Sequence, residues 1–417
     1  MGIAQRFATL PRNLAMQVFA AFALAYFMSA LVRAITATLS PVLRVEFSLT
    51  AGDLGLLGGG YFLGFALMQL PLGKWLDTYG PRKVILCFLS VAVLGCVAFA
   101  LAPGFIGLLL ARMLCGAGVS ACLMAPLTAY RRWFLPDAQL RANSWMLMTG
   151  SLGMVAATLP VQWLLPQIGW RAMFGMLAAL LALSMVVLAW RLPQWQRAPQ
   201  SLVASSDGGY AGIWRNAYFR RQIWLGFFCY GGLIAIQTLW AGPWMVQVGG
   251  YTALQAATGL FWINVSMLCT FWSWGMLAPY LQRQGWHTDR LISWGMPLSL
   301  CALAIICIAG SAVQWWAWAL YCILSTFVSL AQPAIGMAFP QALAGRALSA
   351  YNLVIFSGVF AVQWGIGLLI DLFKTQGLGT VDAFRAAMAV FFVCALGGYL
   401  RFVLDNRSTA VSAAQTA

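Results

Sequence analysis

The sequence predicts an all-α polytopic membrane protein: twelve transmembrane helices arranged as two six-helix pseudo-repeats. Three observations lead there. First, the 417 residues are 62% hydrophobic and only 8% charged. Soluble domains carry about 25% charged residues, so this chain could not cover itself with a polar surface. Second, apolar runs of the roughly 20 residues needed to cross a bilayer recur along the whole chain, and the strand-period alternation of an outer-membrane barrel is absent. Third, the two halves of the chain resemble each other at a constant spacing.

In order along the chain, turn and charge signals delimit apolar spans near 14–40, 53–71, 84–102, 105–129, 143–165 and 171–190, then 222–247, 253–280, 290–309, 313–338, 348–370 and 384–403. The first run, after Arg6 and Arg12, exceeds the 7–15 residues of a signal-peptide core and reads as an uncleaved first span. A hydrophilic stretch, 191–221 (RLPQWQRAPQSLVASSDGGYAGIWRNAYFRR), separates the N-terminal half, 1–190, from the C-terminal half, 222–404. Residues 405–417 are expected to form a disordered tail. "RANSWMLMTGSLG" (141–153) and "RALSAYNLVIFSG" (346–358) match at Arg, Ala, Ser and Gly with an offset of 205, which also brings Gly80 onto Gly285. Each half also has a proline late in its fourth helix, in "LMAPLTA" and "LAQPAIG", and "WRAM" and "FRAAM" open its sixth. Such a duplication places a substrate site at the repeat interface near mid-membrane.

Lys and Arg set the orientation. With both ends cytoplasmic, eighteen basic residues fall on the inner side and four (Arg44, Arg171, Lys374, Arg385) on the outer, the asymmetry of cytoplasmic loops. The net charge of +15 therefore lies where anionic headgroups are and needs no nucleic-acid partner. All ten cysteines lie in apolar segments without a CxxC pair, as small buried hydrophobes do. The single histidine, His287, falls in a loop, and no metal or cofactor is expected. The nine acids belong to loops or helix ends. A membrane-embedded enzyme, which needs an acid/base or metal constellation, is thereby disfavoured.

Between the second and third spans, "GKWLDTYGPRKVIL" (73–86) resembles the loop signature G-x-x-x-D-x-x-G-R-R/K of the major facilitator superfamily at Gly73, Asp77, Gly80, Arg82 and Lys83. "RMLCGAG" on the fourth span, with Arg112, Gly116 and Gly118, resembles a second signature. The equivalent loop of the second half is degenerate, with Pro279 at the acid position. The resemblance covers the whole chain and implies a twelve-helix secondary transporter of bacterial type. It also implies that the 73–83 loop is a gating latch. Physically, Asp77 can accept from free N–H groups at a helix start, and Arg82 and Lys83 can pair with it.

One cation stands out. Arg33 interrupts "YFMSALVRAITATLS" (26–40), with no acid within ten positions. An arginine at a span centre costs roughly 2.5–3.5 kcal/mol on insertion scales. Tyr26, Ser29, Arg33, Thr36 and Ser40 recur at spacings of 3 and 4 and share one helix face, so a wet cavity or a partner is expected there. In the resembled family the first and fourth helices line the central cavity, which would bring Arg112 to the same space, for an anion or for packing and gating. With no internal carboxylate available, backbone oxygens or a substrate anion must satisfy these guanidinium groups. The sequence also resembles the organophosphate–phosphate antiporters and the anion–cation symporter branch. The former carry a second arginine on the seventh helix, where the 205 offset places Gln237 and Thr238. A carboxylate or larger, partly neutral anion is expected before a phosphate dianion. Gln237 on the seventh span, with Tyr230, Trp240 and Trp244 nearby, and Asn264 on the eighth are candidates for hydrogen bonding to substrate or for helix–helix glue, as more weakly are Gln332 and Gln363.

The expected protein is thus a monomeric inner-membrane carrier of a small organic anion, working by uptake or exchange through alternating access, with no enzymatic activity. The competing expectation is an exporter of amphipathic metabolites, siderophores or drugs. Two unpaired arginines would repel cationic drugs, and "TGSLGMVAATLP" in the fifth span lacks the G-x-x-x-G-P pattern of drug–proton antiporters.

Overall fold

A computed structural model describes residues 10–194 and 210–415; a few side chains within that range, Asp77 and Pro279 among them, also lie outside the described residues. No strand occurs among the described residues. The principal helices are α1 Arg12–Glu46, α2 Ala51–Leu76, α3 Thr78–Leu101, α4 Phe105–Arg131, α5 Pro136–Ala156, α6 Leu159–Arg191, α7 Ala217–Gln247, α8 Ala253–Leu277, α9 Thr288–Ala312, α10 Trp315–Ala338, α11 Leu343–Thr375 and α12 Thr380–Asp405. By length and composition eleven of these can cross a membrane; α5 is the more polar exception. The expected fifth span, 143–165, is divided between α5 and the start of α6, which bends at Gly169 (φ 72°). A short helix, Tyr210–Arg215, precedes α7. The middle of the expected linker lies outside the described residues. The backbone of α12 continues as helix to Gln415, whereas disorder was expected from 405. That stretch is alanine-rich and free of proline and glycine, so nothing in it stops the helix.

Helices alternate in direction, so the starts of α1 and α7 share one face, here the termini face, with the α2–α3 turn. The α1–α2 and α11–α12 turns lie on the far face. The halves meet where α2 packs on α11, α5 on α8 and α1 on α7. The duplication is visible in the backbone. Gly80 (φ 78°) and Gly285 (φ 81°) both adopt the left-handed conformation that glycine takes without a Cβ penalty. A Cβ on Gly153 of α5 would collide with the Phe27 carbonyl of α1, and one on Gly358 of α11 with the Phe227 carbonyl of α7. Those paired contacts keep the 205 offset between α5 and α11 but set an offset of 200 between α1 and α7. The structural counterpart of Arg33 is therefore Leu233–Ile234, not Gln237–Thr238. The five-residue difference enters between α7 and the Gly285 turn.

The far face is sealed. Cβ atoms on Gly55 of α2 and Gly367 of α11 would overlap the Gln363 and Ala51 carbonyls, so only glycine permits this approach of the halves. The Asp371 carboxylate of α11 accepts from Ala51 N (3.1 Å) and Gly52 N (2.6 Å), capping α2 from the other half at the end where its dipole favours an anion. On the same face, within the N-terminal half, Glu46 at the end of α1 pairs with Arg171 of α6 and accepts from Trp170 Nε1 at 2.6 Å.

Candidate functional site

The polar face of α1 opens into a cavity of about 650 Å³ between the halves, in the part of the bundle nearer the termini face. Tyr26, Ser29 and Arg33 line it. Thr36 and Ser40, the far-face end of the same stripe, are buried in packing. Because α1 runs to Glu46, Arg33 lies thirteen residues, about 20 Å, from the far-face end. That is deeper than the seven residues left by the expected span end at 40, and it puts the charge at mid-bundle.

Arg33 is the one charged side chain among the described residues lining the cavity. Its Nη2 reaches only the Met154 thioether, at 3.7 Å, and its Nε is buried without a partner. The ion pairs among the described residues, Arg171–Glu46, Arg221–Asp289 and Arg385–Asp382, are elsewhere. Thioether sulfur is a weak acceptor, so the guanidinium keeps its capacity for a carboxylate. The surrounding walls are aromatic and sulfur-rich, including Phe65, Trp145, Phe271, Met124 and Met267.

Arg112 takes a different position. It is 1% exposed and does not line the cavity. Its Nη1 donates to the Val32 carbonyl at 2.9 Å, its Nε and Nη2 are buried without a partner, and its guanidinium sits 4.9 Å from the Tyr61 ring centre. Tyr61 in turn donates to the Ser29 carbonyl at 3.3 Å. Through these contacts α4 and α2 hold the backbone of α1 beside Arg33.

Gln237 lines the cavity and donates to Asn264 Oδ1 at 3.0 Å, while Asn264 donates to the Leu260 carbonyl and lies behind the wall. Trp240 also lies outside this cavity: it is fully buried, its Nε1 donating to the Gln363 carbonyl at 3.0 Å. Trp244 packs edge-on against Trp318. Helical spacing put both tryptophans near Gln237, but π-helical turns at Leu225–Tyr230 and Ile236–Trp240 rotate that face. Tyr230 remains in the lining. Gln363 is buried in the α7–α11 seam, donating to Thr238 Oγ1 at 3.0 Å.

In the signature loop, Gly80 makes the turn, Arg82 donates to the Ala189 carbonyl at the end of α6 (2.6 Å), and Lys83 is exposed. Gly73 lies beside Ser349 of α11, so the loop abuts the other half. The Asp77 side chain lies outside the described residues. Sequence reasoning missed two cavity residues, Gln69 and Asn352. Their signal was a lone amide inside an apolar run, "LMQLP" and "SAYNLVIF".

Two six-helix repeats of the same orientation around a central polar-on-apolar cavity define a secondary-transporter architecture. The chain belongs to the Major Facilitator Superfamily, whose family model matches residues 22–363. It is 25% identical to a probable sulfoacetate transporter of Cupriavidus necator over 257 residues (56% of this chain, 58% of that one). It is likewise 25% identical to a gallate transporter of Pseudomonas putida over 266 residues (55% and 59%). The match thus spans little more than half the length of either relative. In fold it is similar to an inward-facing, unoccupied bacterial homologue of the human lysosomal transporter Spinster, with a TM-score of 0.79 at 17% identity, covering 95% of this chain and 98% of that one.

Proposed function

We propose that this protein carries a small organic anion of the carboxylate type across the plasma membrane by alternating access, in uptake or exchange, with both termini cytoplasmic. The observation that carries the reading is Arg33: a cation at mid-bundle, lining the cavity, with no carboxylate and no oxygen partner among the described residues. The names of several relatives support it, sulfoacetate, gallate, cis,cis-muconate and hexuronate being organic anions; another relative is named for sodium-dependent phosphate transport. The Lys/Arg asymmetry supports the orientation. On that orientation the sealed far face and the cavity on the termini face correspond to an inward-facing state, and the Gly73–Lys83 loop would latch the halves when the cavity turns outward. Arg33 supplies the charge, Tyr26 and Gln237 line its walls, and Arg112, Asn264 and Trp240 hold the scaffold behind them.

The test is ligand-dependent thermal stabilisation of the purified protein, which follows mass action. Carboxylates should raise Tm in the wild type and not in Arg33→Gln. Stabilisation by hydrophobic cations, or equal stabilisation of the variant by carboxylates, would overturn the reading. The aromatic and methionine lining favours a second possibility, export of an amphipathic metabolite. Uptake into right-side-out against inverted vesicles separates the two directions.

A further inference from the structure

Three amides meet where the α2–α11 seam reaches the cavity. Gln332 Nε2 donates to Asn352 Oδ1 at 2.7 Å, Asn352 Nδ2 to Gln69 Oε1 at 3.4 Å, and Gln69 Nε2 to the Phe65 carbonyl at 3.3 Å. All three line the same cavity as Arg33, although Gln69 and Asn352 are only 1% and 4% exposed.

The chain of bonds leaves capacity unused, because each amide offers two N–H groups and a carbonyl with two lone pairs. As a clasp between the halves it is poor. The one bond that crosses from Gln69 to Asn352 is the longest of the three, and interhelical hydrogen bonds in membranes average only about 0.6 kcal/mol. The same seam is closed at the far face by the glycine contacts and by Asp371. Amides facing a cavity are better accounted for as partners of what enters it.

Charge narrows the guest. With Arg33 the one charged lining residue among those described, the cavity compensates one negative charge. A second carboxylate beside the amides would lose hydration without a counter-ion, whereas a hydroxyl or carbonyl would exchange water for amide partners at little cost. We propose that Gln69, Asn352 and Gln332 are specificity-determining residues that bind a neutral hydrogen-bonding group on the anion held by Arg33. The substrate class is then a monocarboxylate bearing a hydroxyl or carbonyl group on an apolar body, not a dicarboxylate. This assignment rests on the anion-carrier reading above. A group that displaced the 3.4 Å Asn352–Gln69 bond would touch Gln69 from one half and Asn352 from the other, so the bound substrate would bridge the two.

The test is titration of tryptophan fluorescence of the full-length protein in detergent with 3-phenylpropanoate, its 4-hydroxyphenyl analogue and its 4-carboxyphenyl analogue. The hydroxylated acid should bind about tenfold or more tighter than the plain acid, and the diacid weakest. In Asn352→Leu, and in the less buried Gln332→Met should the first not fold, the gap between hydroxylated and plain acid should close to about twofold while affinity for the plain acid holds. A wild type that does not discriminate, a diacid that binds tightest, or a gap that survives both substitutions would overturn the amide assignment alone. Loss of binding of all three acids by the wild type, or their equal binding to Arg33→Gln, would instead overturn the anion reading and this inference with it.

Discussion

Helices α1 and α7 occupy equivalent places in the two repeats yet are built differently. α1 is continuous α-helix from Arg12 to Glu46, with Pro41 accommodated near its end, and presents one bare guanidinium to the cavity. α7 is interrupted by two π-helical stretches, a rare form that concentrates at functional sites. At the position equivalent to Arg33 it has Leu233 and Ile234, both of which line the cavity. Of the polar groups α7 turns to the cavity, Gln237 is bonded to Asn264 of α8 and Thr238 to the Ile234 carbonyl, beside Tyr230. The scaffold was duplicated and the charge was not. On the proposed function, recognition of an anion would rest on one half, while the other would contribute neutral surface and a helix interrupted by widened turns.

The comparison breaks most severely at its charged member. Arg33→Leu should weaken binding of a monocarboxylate by two orders of magnitude or more, since a guanidinium–carboxylate pair makes two charge-assisted bonds of roughly 1.5–3 kcal/mol each. Isothermal titration measures it, and a loss under about tenfold would remove Arg33 from the site. Next, Leu233→Arg gives the second half its own cation. Dicarboxylates should then gain about tenfold over monocarboxylates in competition binding, and in the Arg33→Leu background the same change should recover part of the lost affinity. An unchanged preference would mean that Leu233 does not face the substrate.

A smaller effect lies at the far-face seal. Because Oδ1 and Oδ2 each accept one N–H of α2, Asp371→Asn removes the charge and one of the cap's two acceptors, a loss of at least about 1 kcal/mol and so at least about fivefold in the equilibrium between sealed and open. It reads as faster labelling by an impermeant thiol reagent of a cysteine placed at Leu54, which is buried beside the seam. The smallest change in binding is expected for Arg112→Met. With its guanidinium outside the cavity, selectivity among anions and affinity should stay within about threefold, the consequence appearing in Tm. A selectivity change as large as that of Arg33→Leu would return Arg112 to the site.

Much of this was legible in the sequence because the physics involved is local. Apolar runs long enough for a bilayer, the Lys/Arg asymmetry and the 205 offset between 141–153 and 346–358 need no three-dimensional information, and the 3–4 spacing around Arg33 already pointed one face of α1 toward water. The misjudged elements each depended on something non-local. The offset at α7 was obscured by the five-residue difference between the repeats. Trp240 and Trp244 were misplaced by π turns that ordinary helical periodicity does not anticipate. Gln69 and Asn352 were invisible because a single amide in an apolar run takes meaning only from what faces it.

By itself the sequence determined that the chain is a twelve-helix, two-repeat membrane protein with an unneutralised cation in its first helix, since the length and polarity of segments are set residue by residue. Only the tertiary structure decided which arginine meets the cavity. Arg33 and Arg112 are alike in charge, and each has a guanidinium nitrogen buried without a partner; they differ in which of them lines the cavity and in the backbone oxygen that a neighbouring helix offers. Val32 gives its carbonyl to Arg112, while Arg33 is left with a thioether and open space.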